Sequence, residues 1–284
     1  MNNSKAFVPK QNRIKDRGIV STVLLYFFAA LIAFITIYPM YYVLVLSFSS
    51  PREALTMRVY WWPKGFFVDG YKRILTNSNL WLSYRNTIMY CATRAILTLA
   101  TSVLAAYPLT VKHLYGRKFV TMFLLIPMYV SGGIIPEFIL MTKLGLYNSP
   151  LALILPGSYA IFYIILVRSY FRTIPESLRE SAKIDGANEW HIFWNICLPQ
   201  CRSALYSIAI LVFIDNWNMV EQPLILLNDV EKQPLSMFLS SINAGEIGIA
   251  FAAAVIYMIP GLLLFLHGEA YLVEGIAHSG SVKG

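Results

Sequence analysis

Apolar runs of about 20 residues recur along the chain, and they constrain its fold more than any other feature. A helix of that length spans the hydrocarbon core of a bilayer. Charged residues make up 13% of the chain, well below the share usual in soluble domains. Helices satisfy their backbone hydrogen bonds internally, which a lipid-exposed segment requires. The sequence therefore predicts an all-α integral membrane protein.

Six such runs predict six transmembrane helices in one domain of residues 19–273. The predicted spans are Ile19–Leu46, Asn86–Leu109, Phe119–Leu140, Leu151–Phe171, Ala204–Leu227 and Ile249–Val273. Residues 1–18 hold five basic residues and are interpreted as a cytoplasmic tail. A cleaved signal peptide is the alternative, but the run that follows is too long and lacks a small-residue cleavage site. Residues 274–284 are predicted to form a second cytoplasmic tail.

The distribution of Lys and Arg modestly favours a cytoplasmic location for both termini. With the N-terminus inside, 13 of the 23 basic residues lie on the inner side and 8 on the outer side. The first external loop, residues 47–85, holds six of those eight and is rich in aromatic residues. Its rings suit either an interfacial belt or contact with an external protein, and the belt is the simpler interpretation. The net charge of +8 does not indicate nucleic-acid binding, because the basic residues cluster at the ends of apolar runs.

Neither cysteine chemistry nor nucleotide hydrolysis is indicated. Cys91, Cys197 and Cys201 form no CxxC pair and have no histidine at ligand spacing, so we interpret them as small apolar residues and predict no metal site. The sequence contains no GxxxxGKS or GxxxxGKT phosphate-binding loop. The chain is therefore predicted to be a non-enzymatic subunit that binds no cofactor itself.

The stretch from Glu176 to Pro199 is strongly charged and lies between apolar segments, in a predicted loop of residues 172–203. Pro175 and Glu176 suit a helix start, and Gly186 suits a helix end. Asn188 is a plausible cap for a second helix from Glu189 to about Cys197. The stretch predicts a helix, a glycine turn and a helix outside the bilayer. A solvated loop with no partner is the alternative.

The same stretch resembles the EAA loop of binding-protein-dependent ABC import permeases. The pattern is EAA, three residues, G, nine residues and I-x-L-P, and its spacing is met throughout, with Ser181 replacing the first alanine. In that family the loop forms a coupling helix that docks on the ATP-hydrolysing subunit. Small side chains would allow close approach, and an acid would meet a basic partner. The resemblance implies that the ATPase-coupling residues are Glu180, Ser181, Ala182, Asp185 and Gly186.

Polar residues mark two other spans. The third run contains Pro127, Gly132, Gly133 and Pro136, which predict a broken helix that either lines a pathway or is kinked for packing. The fifth run carries a polar stripe, and polar groups inside a membrane usually face a cavity or a partner. We predict a substrate path for a hydroxyl-rich ligand, with Trp217 offering a flat ring face. The predicted path residues are Asp215, Asn216, Trp217, Asn218 and Glu221.

Two alternatives to this path stay open. Polar residues on the fifth span could act as interhelical glue rather than ligand contacts. Arg94 or Arg168 could instead select an anionic ligand, although Arg168 lies near the inner end of its span and more simply extends to the surface.

Resemblance extends over nearly the whole chain. Further motifs carry it: Ala106-Tyr107-Pro108-Leu109, Ser131-Gly132-Gly133-Ile134-Ile135-Pro136, Leu155-Pro156-Gly157, Asp185-Gly186-Ala187 and the terminal Gly280-Ser281-Val282-Lys283-Gly284. They are similar to the complex-oligosaccharide, LplC/YtcP-like branch of maltose-type ABC permeases, which is associated with polysaccharide fragments such as aldouronates and has relatives that take up alginate. The resemblance implies a type I importer permease fold in the bacterial inner membrane.

The resemblance also implies an assembly. A second, non-identical permease would complete the path, two ATPase subunits would hold ATP and Mg, and a solute-binding protein would deliver an oligosaccharide from outside. The C-terminal tail would reach between the ATPase subunits. Two other classes stay open at this point: a secondary transporter driven by an ion gradient, which predicts internal repeats that we do not find, and a non-transporting membrane scaffold subunit.

Overall fold

The computed structural model describes residues 19–130, 132–242 and 246–280, with side chains as far as residue 269. The predicted N-terminal tail of residues 1–18, Ser131 and the terminal residues 281–284 lie outside the described residues. Within them the regular structure is helical. The α-helices are α1 (Ile19–Ser47), α2 (Pro51–Leu55), α3 (Asp69–Leu75), α4 (Ser78–Ala106), α5 (Arg117–Tyr129), α6 (Ile134–Lys143), α7 (Pro150–Gly157), α8 (Ile161–Phe171), α9 (Glu176–Ile184), α10 (Glu189–Ile192), α11 (Leu198–Gln200), α12 (Arg202–Trp217), α13 (Glu221–Leu226), α14 (Leu235–Ser241) and α15 (Ile247–Gly280).

Between four and six segments of the described chain are long and apolar enough to cross a membrane. Four do so singly: Ile19–Ser47, Ser78–Thr110, Pro150–Phe171 and Ile247–Glu269. Two bent helix pairs raise the number to six if each pair is one span: α5 with α6, and Glu189–Gln200 with α12. The second pair meets at 75°. The prediction of an all-α membrane protein is confirmed, and its six spans are the upper end of this range.

The bundle is organised around α4, which packs against α12, α8, α7 and α14. The largest apolar core joins α4 to α8, α12 and the loop helices α10 and α11. By contrast, α1 is exposed over most of its length and contacts mainly α15. The apolar surface of α1 suits lipid or another membrane subunit.

The third and fourth predicted spans are interrupted. In the third, one helix ends at Tyr129 and the next begins at Ile134, as the glycines and prolines predict. In the fourth, α7 ends at Gly157 and α8 begins at Ile161. At this second break α4 supplies hydroxyl donors: Thr98 donates to the Gly157 carbonyl at 2.9 Å, and Thr101 to the Ser158 carbonyl at 2.7 Å. A neighbouring helix therefore satisfies backbone groups that lipid would leave unpaired.

The prediction of one continuous fifth helix over Ala204–Leu227 is wrong. Helix α12 ends at Trp217, and α13 begins at Glu221. Pro223 lacks an N–H and lies in the first turn of α13, where no helical hydrogen bond is lost, so it favours a new helix start at this point. The Met219 carbonyl accepts instead from the Ser236 hydroxyl, at 2.6 Å. Glu221 therefore does not continue the helical face of Asp215 and Asn218.

Candidate functional site

The charged stretch folds into a helix, a turn and a helix. Helix α9 has the bounds that the sequence predicts, and the Asn188 side chain accepts from the backbone N–H of His191 at 2.7 Å to cap α10. Gly186 adopts a φ of +85°, a conformation that residues with a Cβ rarely tolerate. The Ala187 N–H donates to the Ala182 carbonyl at 2.9 Å and closes the end of α9. We call residues 176–197 the coupling segment.

Most of the predicted ATPase-coupling residues lie on the surface of the coupling segment. Glu180, Ser181, Asp185 and Gly186 are exposed, whereas Ala182 is half-buried against the core. A shallow recess of about 450 Å³ is bordered by Ala182, Asp185, Gly186, Ala187, Asn188, His191 and Ile196. Beside the recess, Ile184 is 86% exposed, although it lies in a charged segment. The surface combines acids, small residues and an exposed apolar side chain, a composition suited to a protein partner.

A second, smaller cavity of about 240 Å³ lies on the other side of α9. It is lined by Val111, Lys112, His113, Glu176, Arg179, Glu180, Lys183 and Glu189. The Lys183 ammonium lies 2.6 Å from Glu189 and, by donating to it, holds the pKa of that carboxyl below its usual range. Among the described residues Glu180 forms no ion pair, so its charge is available to a partner.

The predicted substrate-path residues separate into two groups. Asp215 and Asn218 are exposed near the end of α12. Asp215 accepts a hydrogen bond from the Tyr163 hydroxyl on α8. The Asn218 amide donates to the Ile214 carbonyl at 3.1 Å, and its side-chain oxygen shares the Tyr257 hydroxyl proton, at 3.1 Å, with the Trp217 carbonyl. Two tyrosines thus hold two exposed polar side chains, and individually modest hydrogen bonds to such groups suit a weakly binding sugar path.

Trp217 and Asn216, which we predicted to face a ligand, point into the protein in this structure. Trp217 is 3% exposed and its ring is covered by Phe213, Tyr84 and Tyr257. Asn216 is 6% exposed, and its amide donates to the Val212 carbonyl at 2.6 Å. Residues that follow one another on a helix lie about 100° apart, so the positions next to two exposed residues turn inward.

A polar chain crosses the bundle next to the break in the fifth span. The Arg94 guanidinium donates to the Gln222 side-chain carbonyl at 3.2 Å, and the Gln222 amide donates to Glu137 at 3.4 Å. Arg94 is 7% exposed and lies against Gly157, where a Cβ would collide with the guanidinium. The Arg94 side chain is therefore held in the interior of the protein. Glu221 is exposed and is not part of this hydrogen-bonded network.

Sequence reasoning missed the residues that organise both regions. Tyr163 and Tyr257 are isolated tyrosines in apolar runs, and no local pattern distinguishes them. Arg179 is the buried residue of α9, and an arginine in a charged helix gives no signal of burial. The Ala-Tyr-Pro-Leu motif did mark Tyr107, which contacts Arg179, although not for that role.

Comparisons with known proteins define the class. The chain matches the family of binding-protein-dependent transport system inner membrane components over residues 97–273. It is 31% identical to the polygalacturonan/rhamnogalacturonan transport system permease protein YtcP of Bacillus subtilis (strain 168), covering 96% of this chain and all of that one. It is 31% identical to the arabinooligosaccharides transport system permease protein AraQ of Halalkalibacterium halodurans, covering 90% and 94% of the two chains.

A solved structure agrees with these sequence matches. It is a bacterial ABC transporter involved in the import of the acidic polysaccharide alginate, with a TM-score of 0.79, 30% identity, and coverage of 94% of this chain and 99% of that one. The fold and the polar interior thus define a membrane transport permease rather than a catalytic protein. The chain belongs to the binding-protein-dependent transport system inner membrane component family, the permeases of ABC importers. It is a multi-pass inner-membrane protein.

Proposed function

We propose that this permease forms, with a second and non-identical permease, the path by which an oligosaccharide crosses the bacterial inner membrane. Two ATPase subunits would bind beneath the two permeases, one of them at the coupling segment of this chain, and a solute-binding protein would deliver the sugar on the opposite side. Hydrolysis of MgATP would occur in the ATPase subunits. Family membership disfavours the two alternatives, a secondary transporter and a scaffold subunit.

The geometry of the coupling segment carries the proposal most directly. Its exposed residues include acids, a positive-φ glycine and the almost fully exposed Ile184, while its base is buried in the main core. When a bound partner displaces the exposed side, the displacement is therefore transmitted through the buried base to the helix bundle. Gly186 sets the direction of α10 relative to α9, and the glycine turn thereby keeps both helices on one surface.

On the path itself we assign Asp215, Asn218 and Glu221, because these three predicted residues are exposed. Tyr163 and Tyr257 orient the first two. The second permease would cover this surface and supply the remaining sugar contacts. Hydrogen bonds that are individually modest allow a sugar to leave as well as enter.

The substrate class that we propose is an oligosaccharide released from a plant or algal polysaccharide, including acidic ones. The support is that one similar permease is named for polygalacturonan and rhamnogalacturonan and one similar structure for alginate. A neutral oligosaccharide is the alternative substrate, because one relative is named for arabinooligosaccharides.

At the end opposite the coupling segment, a polar cavity of about 460 Å³ would face the binding protein. Its lining includes Arg73, Asn77, Asn79, Ser83, Gln233 and Glu246. Under the predicted orientation, with both termini in the cytoplasm, this cavity opens outward. The terminal residues 281–284 would extend toward the ATPase subunits.

Co-purification tests the assembly. A tag on this chain should retrieve an ATPase and a second permease, with two copies of the ATPase for each copy of this chain. Recovery of the chain alone would contradict the proposed importer. Hydrolysis by the reconstituted complex, with its binding protein, is then measured on oligogalacturonates, alginate oligomers and arabino-oligosaccharides, and we expect the acidic oligomers to stimulate it most.

A further inference from the structure

Arg179 is a buried cation in an otherwise exposed helix. It is 8% exposed and is the buried residue of α9. Burying a charge is costly unless polar partners receive it. Among the described residues Arg179 forms no ion pair. Its position therefore depends on the neutral groups that surround it, with the Glu189 carboxylate close enough for the two charges to interact.

Those neutral groups belong to the turn that follows α4 and to the end of α8. One guanidinium nitrogen donates to the Thr110 hydroxyl at 3.1 Å, and the other donates to the Phe171 carbonyl at 3.2 Å. The guanidinium carbon lies 5.6 Å from the centre of the Tyr107 ring, within range of a cation–π interaction. Thr110 is in turn held by the Tyr107 carbonyl, to which it donates at 2.7 Å.

A second connection closes the arrangement into a ring. The Tyr107 hydroxyl donates to the Glu189 carboxylate at 2.8 Å, and Glu189 pairs with Lys183 of α9 at 2.6 Å. Tyr107 itself packs against Phe193 and Phe171 with ring centres 4.9 and 6.1 Å apart. Helix α9 thus reaches Tyr107 by two routes, one through Arg179 and one through Lys183 and Glu189.

Tyr107 directly follows α4, the helix around which the bundle packs. A displacement of α9 would reach α4 through this ring without first deforming the loops between them. A contact of this kind transmits a rigid-body shift, because packed and hydrogen-bonded elements move together rather than stretch.

We propose that Arg179 is a positioning residue that makes α9 and α4 move as one body when the ATPase subunits close. The inference rests on the proposed binding of one ATPase subunit at the coupling segment. It extends that role, because it names α4 as the first membrane helix to receive the motion and the Arg179–Tyr107 contact as the connection.

The test measures one distance by double electron–electron resonance, in the purified complex. Spin labels are placed at Leu178→Cys on α9 and at Ile96→Cys on α4, both of which are exposed positions, and the three native cysteines are buried. The distance is measured without nucleotide and after trapping with MgATP and vanadate. We expect the same distance in both states, because the two helices move together.

In Arg179→Gln the two states should differ by about 1–2 Å, the size of typical helix shifts. Arg179→Lys, which keeps a cation over the ring, should restore much of the wild-type behaviour. If Arg179→Gln fails to assemble, Thr110→Val replaces it, since it removes the hydroxyl that accepts from the guanidinium, and a smaller change of the same kind is expected. The matched control is Lys112→Gln, which breaks an exposed 3.7 Å pair with Glu176 and should leave the distance unchanged.

A wild-type distance that changes on trapping would overturn the proposal, and so would an Arg179→Gln distance that stays constant. A merely structural role predicts loss of assembly, not a distance that depends on the nucleotide state. The measurement needs no sugar. If no ATPase co-purifies, the proposed function fails. The linkage between α9 and α4 is then tested by the distance distribution without nucleotide, which Arg179→Gln should broaden.

Discussion

Trp217 and Tyr257 bind each other reciprocally across the interface of α12 and α15. The Tyr257 hydroxyl donates to the Trp217 carbonyl at 2.9 Å, and the Trp217 indole N–H donates to the Tyr257 carbonyl at 3.2 Å. The carbonyl that Tyr257 caps lies at the end of α12, where no further helical turn would satisfy it. The pair therefore secures the point at which the fifth span breaks.

Trp217→Ala should destabilise the protein rather than weaken sugar binding. Removing a buried Trp ring typically costs about 3–5 kcal/mol. We expect a lower yield of assembled complex and a lower melting temperature in detergent. Trp62→Ala, at a position that is 78% exposed, is the control and should change neither. Normal assembly with slower transport in Trp217→Ala would instead indicate that Trp217 contacts the sugar.

Asn218→Ala and Asp215→Asn should slow transport several-fold without loss of assembly. Each removes or weakens an outward-facing hydrogen-bonding group, and one such bond contributes about 0.5–1.5 kcal/mol. Uptake of labelled oligosaccharide into proteoliposomes measures the effect, with co-purification measured in parallel. Asn228→Ala, an exposed amide beyond α13, should transport normally. Wild-type uptake in both path variants would place the sugar elsewhere.

Glu180→Ala should reduce substrate-stimulated ATP hydrolysis by the complex, because it removes an unpaired charge from the proposed docking surface. The paired control is Glu176→Ala, an exposed acid at the start of the same helix, which should retain stimulation. Equal stimulation in Glu180→Ala and the wild type, at equal expression, would contradict the assigned role.

Gly186→Val should abolish the same stimulation for a conformational reason. Its φ of +85° is strained for a β-branched residue, whereas asparagine tolerates that region better. Gly186→Asn should therefore keep most of the stimulation. Because a Cβ at Gly186 meets no atom within 4 Å in this chain, steric crowding inside the subunit cannot explain a loss. Identical losses in Val and Asn variants would instead indicate crowding against the partner.

Gly157→Ala should lower the melting temperature of the complex, since its Cβ would collide with the Arg94 guanidinium. Overpacking of this kind costs about 1–3 kcal/mol. The double variant Gly157→Ala with Arg94→Met should lose less stability than the two single losses together, because the collision is removed. Additive losses would mean that the two positions act independently.

The helices and the turn of the coupling segment could be predicted from the sequence, because their signals are local. A proline and an acid at its start, Gly186 at its turn and Asn188 as a cap each act within a few residues, and the structure has α9 at the expected bounds. The broken third span was also predictable, because glycine and proline interrupt helices by themselves.

Contacts between residues that are distant in the sequence could not be predicted from it. The break after Trp217 depends on Ser236 and Tyr257, which supply hydrogen bonds from 17 and 40 residues away. Helical spacing alone treated Ala204–Leu227 as continuous and thereby placed Glu221 on one helix with Asp215 and Asn218, although a break separates it from them. Burial of Arg179 depends on Thr110, which is 69 residues away, so the charge pattern of α9 could not reveal it.

The contact between Gly157 and Arg94 limits how related chains can diverge. Any side chain at position 157 needs the space that the guanidinium fills, and loss of the guanidinium leaves Gln222 and Glu137 without their cation. Related chains can therefore substitute the residues at these positions only together. Permeases of this family that carry a residue with a Cβ at the position of Gly157 should therefore carry a shorter side chain at that of Arg94, and a neutral residue at that of Glu137.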